Sequence, residues 1–368
     1  MKIGIEIRKI FEEQTGVEKF LSGLLKGLSG LDKENEYFLF TNKKIILPME
    51  LKFKYKIIPV KYERMLSLTS QYRWYKIIQQ EKIDIFFTPV MAHPLFGKTK
   101  KVITVHDFCW AEKKYGTSFF ERIIQRFWYK ISLISADAIV TTSETVRKKI
   151  LENFPRKKIF AIGSNISDFS FEKIIKNDFA DNLNYRYFLA VGTIVERKNY
   201  LSLLKAFKIF LNKNIIKKEF KLVIAGKKAG DYDKIKKFIE VNKLSDVVEL
   251  LGYISDKELY YLYSNAFAFI NVSISEGFGI PLLEAANFGL PIICSEIEVF
   301  KEVTEGNALF VNPVSENDIA AAMIDLIEHP DKVDKLKSKC LSMIEKNKEI
   351  EPAQKFLKLI NLLESENN

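Results

Sequence analysis

Ala268-Phe269-Ile270-Asn271-Val272-Ser273-Ile274-Ser275-Glu276-Gly277-Phe278-Gly279-Ile280-Pro281-Leu282-Leu283-Glu284-Ala285 is the run from which the rest of the chain is best read. Its first four residues make a short apolar strand. Gly277 and Gly279 let the backbone turn sharply and approach a ligand closely. Pro281 suits the first turn of a helix, where a missing N–H costs nothing. Free amides at such a helix start form a natural phosphate site. Glu276 falls in the loop and Glu284 in the first helical turns, so both can face one bound ligand. A carboxylate there suits sugar or ribose hydroxyls, because it accepts directed hydrogen bonds.

Outward from this unit, the same alternation of strand and helix continues. Strands are predicted at 2–8, 37–41, 55–60, 83–88, 101–105, 138–141 and 159–162, with helices at 17–28, 70–81, 118–134 and 144–153. A polar, poorly periodic stretch follows. A second series has strands at 187–191, 220–225, 247–250, 268–271, 292–294 and 308–311, and helices at 200–211, 232–241, 256–264 and 316–328. Alternation of this kind argues for parallel sheets covered on both faces. The predicted divisions are an N-terminal domain at 1–166, a linker at 167–184, a C-terminal domain at 185–348 and a terminal helix at 349–368. Phe356, Leu357, Leu359, Ile360 and Leu363 give that helix an apolar stripe, expected to pack back on the first domain. Two Rossmann-like units should face a central cleft, with the C-terminal ends of both sheets opening onto it.

A chain of 368 residues, 47% of them hydrophobic and 28% charged, has material for two ordinary cores. The longest apolar stretches, such as 266–272, are strand-sized and far below the roughly 20 residues that cross a bilayer. The N-terminus runs directly into a strand pattern, with no leader segment. Cys109, Cys294 and Cys340 are far apart and odd in number, which suggests reduced thiols and a cytoplasmic protein. The net charge of +10 accompanies no nucleic-acid-binding motif. Solvated lysine-rich faces, phosphate-bearing substrates and an anionic membrane surface are the partners of such charge that stay open. The segment holding Phe119, Phe120, Phe127, Trp128 and Tyr129 reads as core; its interleaved Arg122, Arg126 and Lys130 leave a membrane-facing surface open. His93 and His329 read as structural or surface residues.

The two glutamates, with seven residues between them around Gly-Phe-Gly-x-Pro, resemble the signature of the family-4 retaining glycosyltransferases (glycosyl transferases group 1), which have the GT-B fold. Other segments resemble that family in its own order: Thr15-Gly16-Val17-Glu18, Thr104-Val105-His106-Asp107, Val191-Gly192-Thr193-Ile194-Val195-Glu196-Arg197-Lys198-Asn199, and Leu251-Gly252-Tyr253-Ile254-Ser255. The third is mannosyltransferase-like. The resemblance implies that Lys198 and Arg197 neutralise the donor diphosphate and that Glu284 binds the ribose. It implies that Glu276, with the amides of Gly277, Phe278 and Gly279 and the neighbouring Ile280, holds the transferred sugar and β-phosphate. Gly192 and Thr193 would belong to the phosphate loop, and Gly252 and Tyr253 to the segment that holds the base. His106 would contact the sugar near the reacting carbon, and Gly16 would allow close approach of donor or acceptor. Family members often carry arginine where this chain has Thr193, which passes part of the phosphate clamp to Arg197.

The implied function is hexosyl transfer with retention from a nucleotide sugar to a glycan or lipid-linked oligosaccharide acceptor, in cell-surface polysaccharide synthesis. The wording of the phosphate loop leans by resemblance to GDP-mannose, with UDP- and dTDP-sugars open. No cofactor or metal is required, no nucleic acid is expected, and a peripheral place on the inner membrane face is open. A Rossmann oxidoreductase would need Gly-x-Gly-x-x-Gly after the first strand, where only Gly4 precedes Gly16. A non-catalytic sugar- or membrane-binding protein of the same fold is the other alternative, against which the intact glutamates, lysine and histidine stand.

Overall fold

The computed structural model describes residues 1–11, 16–42, 47, 49–60, 67–108, 119–164, 185–213, 219–348 and 352–366. The chain divides into two units, Met1–Ser167 together with Ile350–Asn368, and Asp168–Glu349. The predicted linker at 167–184 and Cys109 lie outside the described residues.

The first unit carries β1 (Lys2–Glu6), β2 (Glu36–Thr41), β3 (Tyr55–Pro59), β4 (Ile85–Thr88), β5 (Lys100–Val105), β6 (Ala138–Thr141) and β7 (Ile159–Ala161). They form one sheet in the order β3-β2-β1-β4-β5-β6-β7, parallel throughout. The second unit carries β8 (Arg186–Val191), β9 (Phe220–Ala225), β10 (Val248–Gly252), β11 (Ala268–Asn271), β12 (Ile292–Ser295) and β13 (Leu309–Val311). Their order is β10-β9-β8-β11-β12-β13, again parallel. Both sheets are doubly wound. Strand order reverses between β1 and β4 in one and between β8 and β11 in the other, the place where such sheets take ligands. Strands covered on both faces are apolar almost without break, as in Ala268–Asn271, where all four residues are buried.

Helix Tyr200–Lys213 shows how the second core is made. Tyr200, Leu203, Leu204, Phe207 and Phe210 recur at helical spacing and are buried. They pack with Ile319, Ala320, Met323 and Leu326 of helix Glu316–Glu328, whose Ser315 cap accepts from the Asp318 amide at 3.2 Å. In the first unit, the terminal helix Pro352–Ser365 joins the core built around helix Gly16–Leu31. Phe356, Leu359, Ile360 and Leu363 are buried there, and the Phe356 ring meets Phe87 edge-on at 4.8 Å. The stripe expected to pack back on the first domain does so.

Helix Phe119–Ser135 corrects an expectation. Its aromatic segment is not core at Phe127, which is 62% exposed, and Ile123, Ile124 and Ile134 are exposed with it. Arg126 and Lys130 share that open surface, while Trp128 and Tyr129 are half-buried. The described residues contain no helix long and apolar enough to cross a membrane.

At the C-terminal edge of the second sheet, three loops are forced together. A Cβ on Gly226 would lie 2.0 Å from the Gly192 carbonyl oxygen, so only glycine fits. The Gly192 amide donates to Ala225 O at 2.9 Å, and the Gly226 amide donates to Gly252 O at 2.8 Å. The ends of β8, β9 and β10 thereby form one continuous floor.

Candidate active site

The second switch point is closed by two loops, one after β8 and one after β11. Residues Glu196–Lys198 wind into a single 3-10 turn, which Asn199 ends in the left-handed conformation at φ 58°. The Asn199 side-chain amide then donates to Val272 O at 3.2 Å and to Pro313 O at 2.6 Å. The Ile274 amide donates to Arg197 O at 2.8 Å, and the Tyr200 hydroxyl donates to Gly192 O at 2.8 Å. These bonds fix the two loops against each other before any charged group is considered.

The charged groups meet on Glu276. Arg197 Nη1 stands 2.6 Å from Oε2, and Lys198 Nζ stands 2.5 Å from Oε1. The Glu276 side chain is only 8% exposed. Burial alone would push its carboxyl up, but Lys198 and then Arg197 overcome that and pull it down to about 2. Two cations against one carboxylate leave an excess positive charge in a mostly desolvated place, where an anion is favoured. The helix Ile280–Asn287 starts beside this cluster. Gly279, its N-cap, has φ 105° and no side chain to cap the first turn. A Cβ at Gly279 would also lie 2.9 Å from the Phe300 ring. The N-cap thus follows Glu276 by only three residues, and the peptide amides that open the helix favour an anion.

The remaining predicted residues are placed as follows. Gly192 borders Lys198: a Cβ there would lie 3.2 Å from its Cε. Thr193 is exposed, Gly277 buried and Phe278 half-buried; Ile280 is buried. Gly252, at φ 71°, ends β10, and Tyr253 after it is 54% exposed. Glu284 is fully buried, and its Oε2 accepts from the Tyr263 hydroxyl at 2.9 Å. Burial, and then the Glu284 charge, hold that phenol well above its usual range. Thus Arg197, Lys198, Glu276 and Gly192 form one cluster, and Glu284 is held by Tyr263.

His106 and Gly16 belong to the first unit. His106 follows β5 and is half-buried, its ring edge-on to Phe20 at 5.1 Å. Nε2 lies 2.8 Å from Pro89 O, so the neutral ring carries its proton there and leaves Nδ1 as an acceptor. Burial lowers its pKa below the usual histidine value, with the Pro89 bond and Asp107 opposing. Gly16 opens helix Gly16–Leu31, on which Phe20 lies one turn further. His93 is buried between Pro94 O and Ser132 O, and His329 is exposed beside Asp325.

Four residues at the second switch point escaped sequence reading. Asn199 stitches the loops, Tyr200 closes the first of them onto Gly192, Tyr263 holds Glu284, and Ser273 reaches Glu276 Oε1 at 2.9 Å. Only Ser273, three positions before Glu276, carries a signal local enough to have been noticed.

Two doubly wound sheets, the second with a cation-lined switch point, define the class, a two-unit α/β protein. The sequence profile of Glycosyltransferase Family 4 matches residues 15–164, and that of glycosyl transferases group 1 matches residues 171–347. The chain belongs to this glycosyltransferase family. Among curated relatives, it is 33% identical to the O-antigen chain mannosyltransferase RfbU of Salmonella typhimurium over 63% of this chain and 62% of that one. It is 29% identical to the O-antigen chain mannosyltransferase B of Escherichia coli, over 54% of this chain and 52% of that one. The matched stretch thus spans less than two thirds of either relative. Among solved structures, the sucrose-phosphate synthase of Thermosynechococcus elongatus superposes with a TM-score of 0.77 at 16% identity, over 99% of both chains. HepE of Anabaena, solved in complex with UDP and glucose, gives 0.72 at 14% identity, over 99% of this chain and 100% of that one. At such identities the likeness is one of fold, the GT-B fold.

Proposed function

We propose that this protein is a retaining hexosyltransferase that moves a sugar, mannose for preference, from a nucleotide-diphosphate donor to a glycan acceptor in cell-surface polysaccharide assembly. The observation that carries the proposal is the convergence of Arg197 and Lys198 on Glu276 beside the start of helix Ile280–Asn287. Diphosphate leaving from a sugar develops negative charge, and donors already in place stabilise it without reorganisation. In front-face displacement the leaving phosphate, held by Lys198, Arg197 and the helix amides, also takes the proton of the acceptor hydroxyl. Glu276 holds sugar hydroxyls. Glu284, oriented by Tyr263, serves the ribose, Gly252 and Tyr253 the base, and His106 with Gly16 the sugar and acceptor side. The first unit, residues 1–166, takes the acceptor; residues 185–348 take the donor.

The names of the two O-antigen mannosyltransferases favour GDP-mannose over UDP- or dTDP-sugars. A thermal-shift screen against GDP, UDP, dTDP and their hexose conjugates tests this. Only a ligand that binds the native state raises Tm, by an amount set by its concentration over Kd. GDP-mannose is expected to give the largest rise; a larger rise with a UDP- or dTDP-sugar would replace it as donor, and no rise with any would remove the donor site.

A lipid-linked acceptor would bring the protein to the cytoplasmic face of a membrane. The exposed Ile123, Ile124, Phe127 and Ile134, with Arg126 and Lys130, support that placement, because apolar and cationic groups on one helix face suit an anionic interface. The full chain is expected to sediment with vesicles containing phosphatidylglycerol and not with phosphatidylcholine alone. Phe127→Asp should reduce the bound fraction severalfold, and equal binding by the variant would exclude this face.

A further inference from the structure

Ser273 offers one proton to two acceptors. Its Oγ lies 2.6 Å from Asn271 Oδ1 and 2.9 Å from Glu276 Oε1, and a hydroxyl donates only once. Ser273 is fully buried and Asn271 is 6% exposed, so water does not relieve the competition. Asn271 Oδ1 also receives the Ser273 amide at 3.2 Å, while its Nδ2 is buried without a partner. Oδ1 keeps the Ser273 amide when the hydroxyl turns away, so the hydroxyl proton can pass to Glu276 without leaving that oxygen unpaired.

Resting on the donor-site reading above, we propose that Ser273 and Asn271 are positioning residues that keep Glu276 in place when the donor arrives. In the empty site the carboxylate is gripped by Lys198 and Arg197, and the Ser273 proton serves Asn271. A bound diphosphate draws both cations away from Glu276. The hydroxyl then rotates to Glu276 Oε1, and Asn271 Oδ1 keeps the Ser273 amide. Glu276 stays aimed at the sugar instead of swinging after the departing cations. Only hydrogen bonds change hands; no group is transferred.

The test compares GDP affinity by calorimetry with the rate of GDP-mannose hydrolysis and of transfer, in wild type and variants of the full chain. Ser273→Ala is expected to lower turnover at least tenfold while GDP Kd stays within about twofold, since the base, ribose and phosphate contacts are untouched. Ser273→Cys keeps the volume but donates weakly, so it should fall similarly; Ser273→Thr keeps the hydroxyl and should retain much of the rate. Asn271→Asp presents acceptors at both positions, holds the Ser273 proton and should also lower turnover. Turnover within threefold of wild type in folded Ser273→Ala or Ser273→Cys would overturn the proposal. So would parallel loss of GDP affinity and rate, the mark of a merely structural residue. Wild-type protein that binds no nucleotide would remove the donor site, and this role with it.

Discussion

Lys198→Ala is expected to lower the transfer rate by about two to three orders of magnitude, the usual effect of removing one preorganised donor at a developing charge. The magnitude follows from where the ammonium stands. Its side chain is 10% exposed, so water cannot substitute for the lost charge at full strength. Stability should suffer less. Glu276 would keep Arg197 at 2.6 Å, so no bare buried carboxylate is left, the circumstance that makes broken buried pairs so costly. Stopped-time assays of transfer, with Tm measured alongside, check both halves. Turnover near wild type in a folded variant would take Lys198 out of the leaving-group site.

Glu276→Gln should separate binding from transfer. Glu276 now occupies the cations that a diphosphate would need, so the incoming phosphate must compete with a carboxylate already paired at 2.5 and 2.6 Å. The isosteric amide removes that competitor and leaves two cations with no anion between them. GDP affinity is expected to rise by roughly tenfold, worth about 1.4 kcal/mol, while transfer falls by about a hundredfold because the sugar loses its carboxylate. Without ligand the variant should melt lower than wild type, through repulsion of Arg197 and Lys198, and regain more on adding GDP. Calorimetry and thermal melts decide this. A variant that loses GDP affinity together with turnover would show that Glu276 supports the phosphate site and does not oppose it.

Much of this architecture is legible in sequence, for local reasons. Strands such as 138–141, 220–225 and 268–271 have the bounds expected of them, because apolar runs between turn residues have few other uses. Helix Glu298–Val303 was not expected: six residues offer less than two turns of periodicity. Phe127 shows a second limit. An amphipathic pattern says which residues of helix Phe119–Ser135 share a face, not whether anything covers it. At the site, Glu276, Lys198 and Arg197 could be named from motif spacing and resemblance. Their pairing could not, since it depends on Asn199 and Ile274 joining loops about 75 residues apart in the chain. Tyr263 was invisible for a like reason, since it matters only through Glu284, 21 residues further along the chain.

The most direct test is a crystal structure of the protein with GDP-mannose, or with whichever nucleotide sugar raises Tm most. The expected density has both phosphates within hydrogen-bonding distance of Lys198 Nζ and the amides of Gly277 to Gly279, with Glu276 turned to the hexose. A diphosphate bound elsewhere, with Arg197 and Lys198 still clamped on Glu276, would contradict the assignment of this switch point as the donor site.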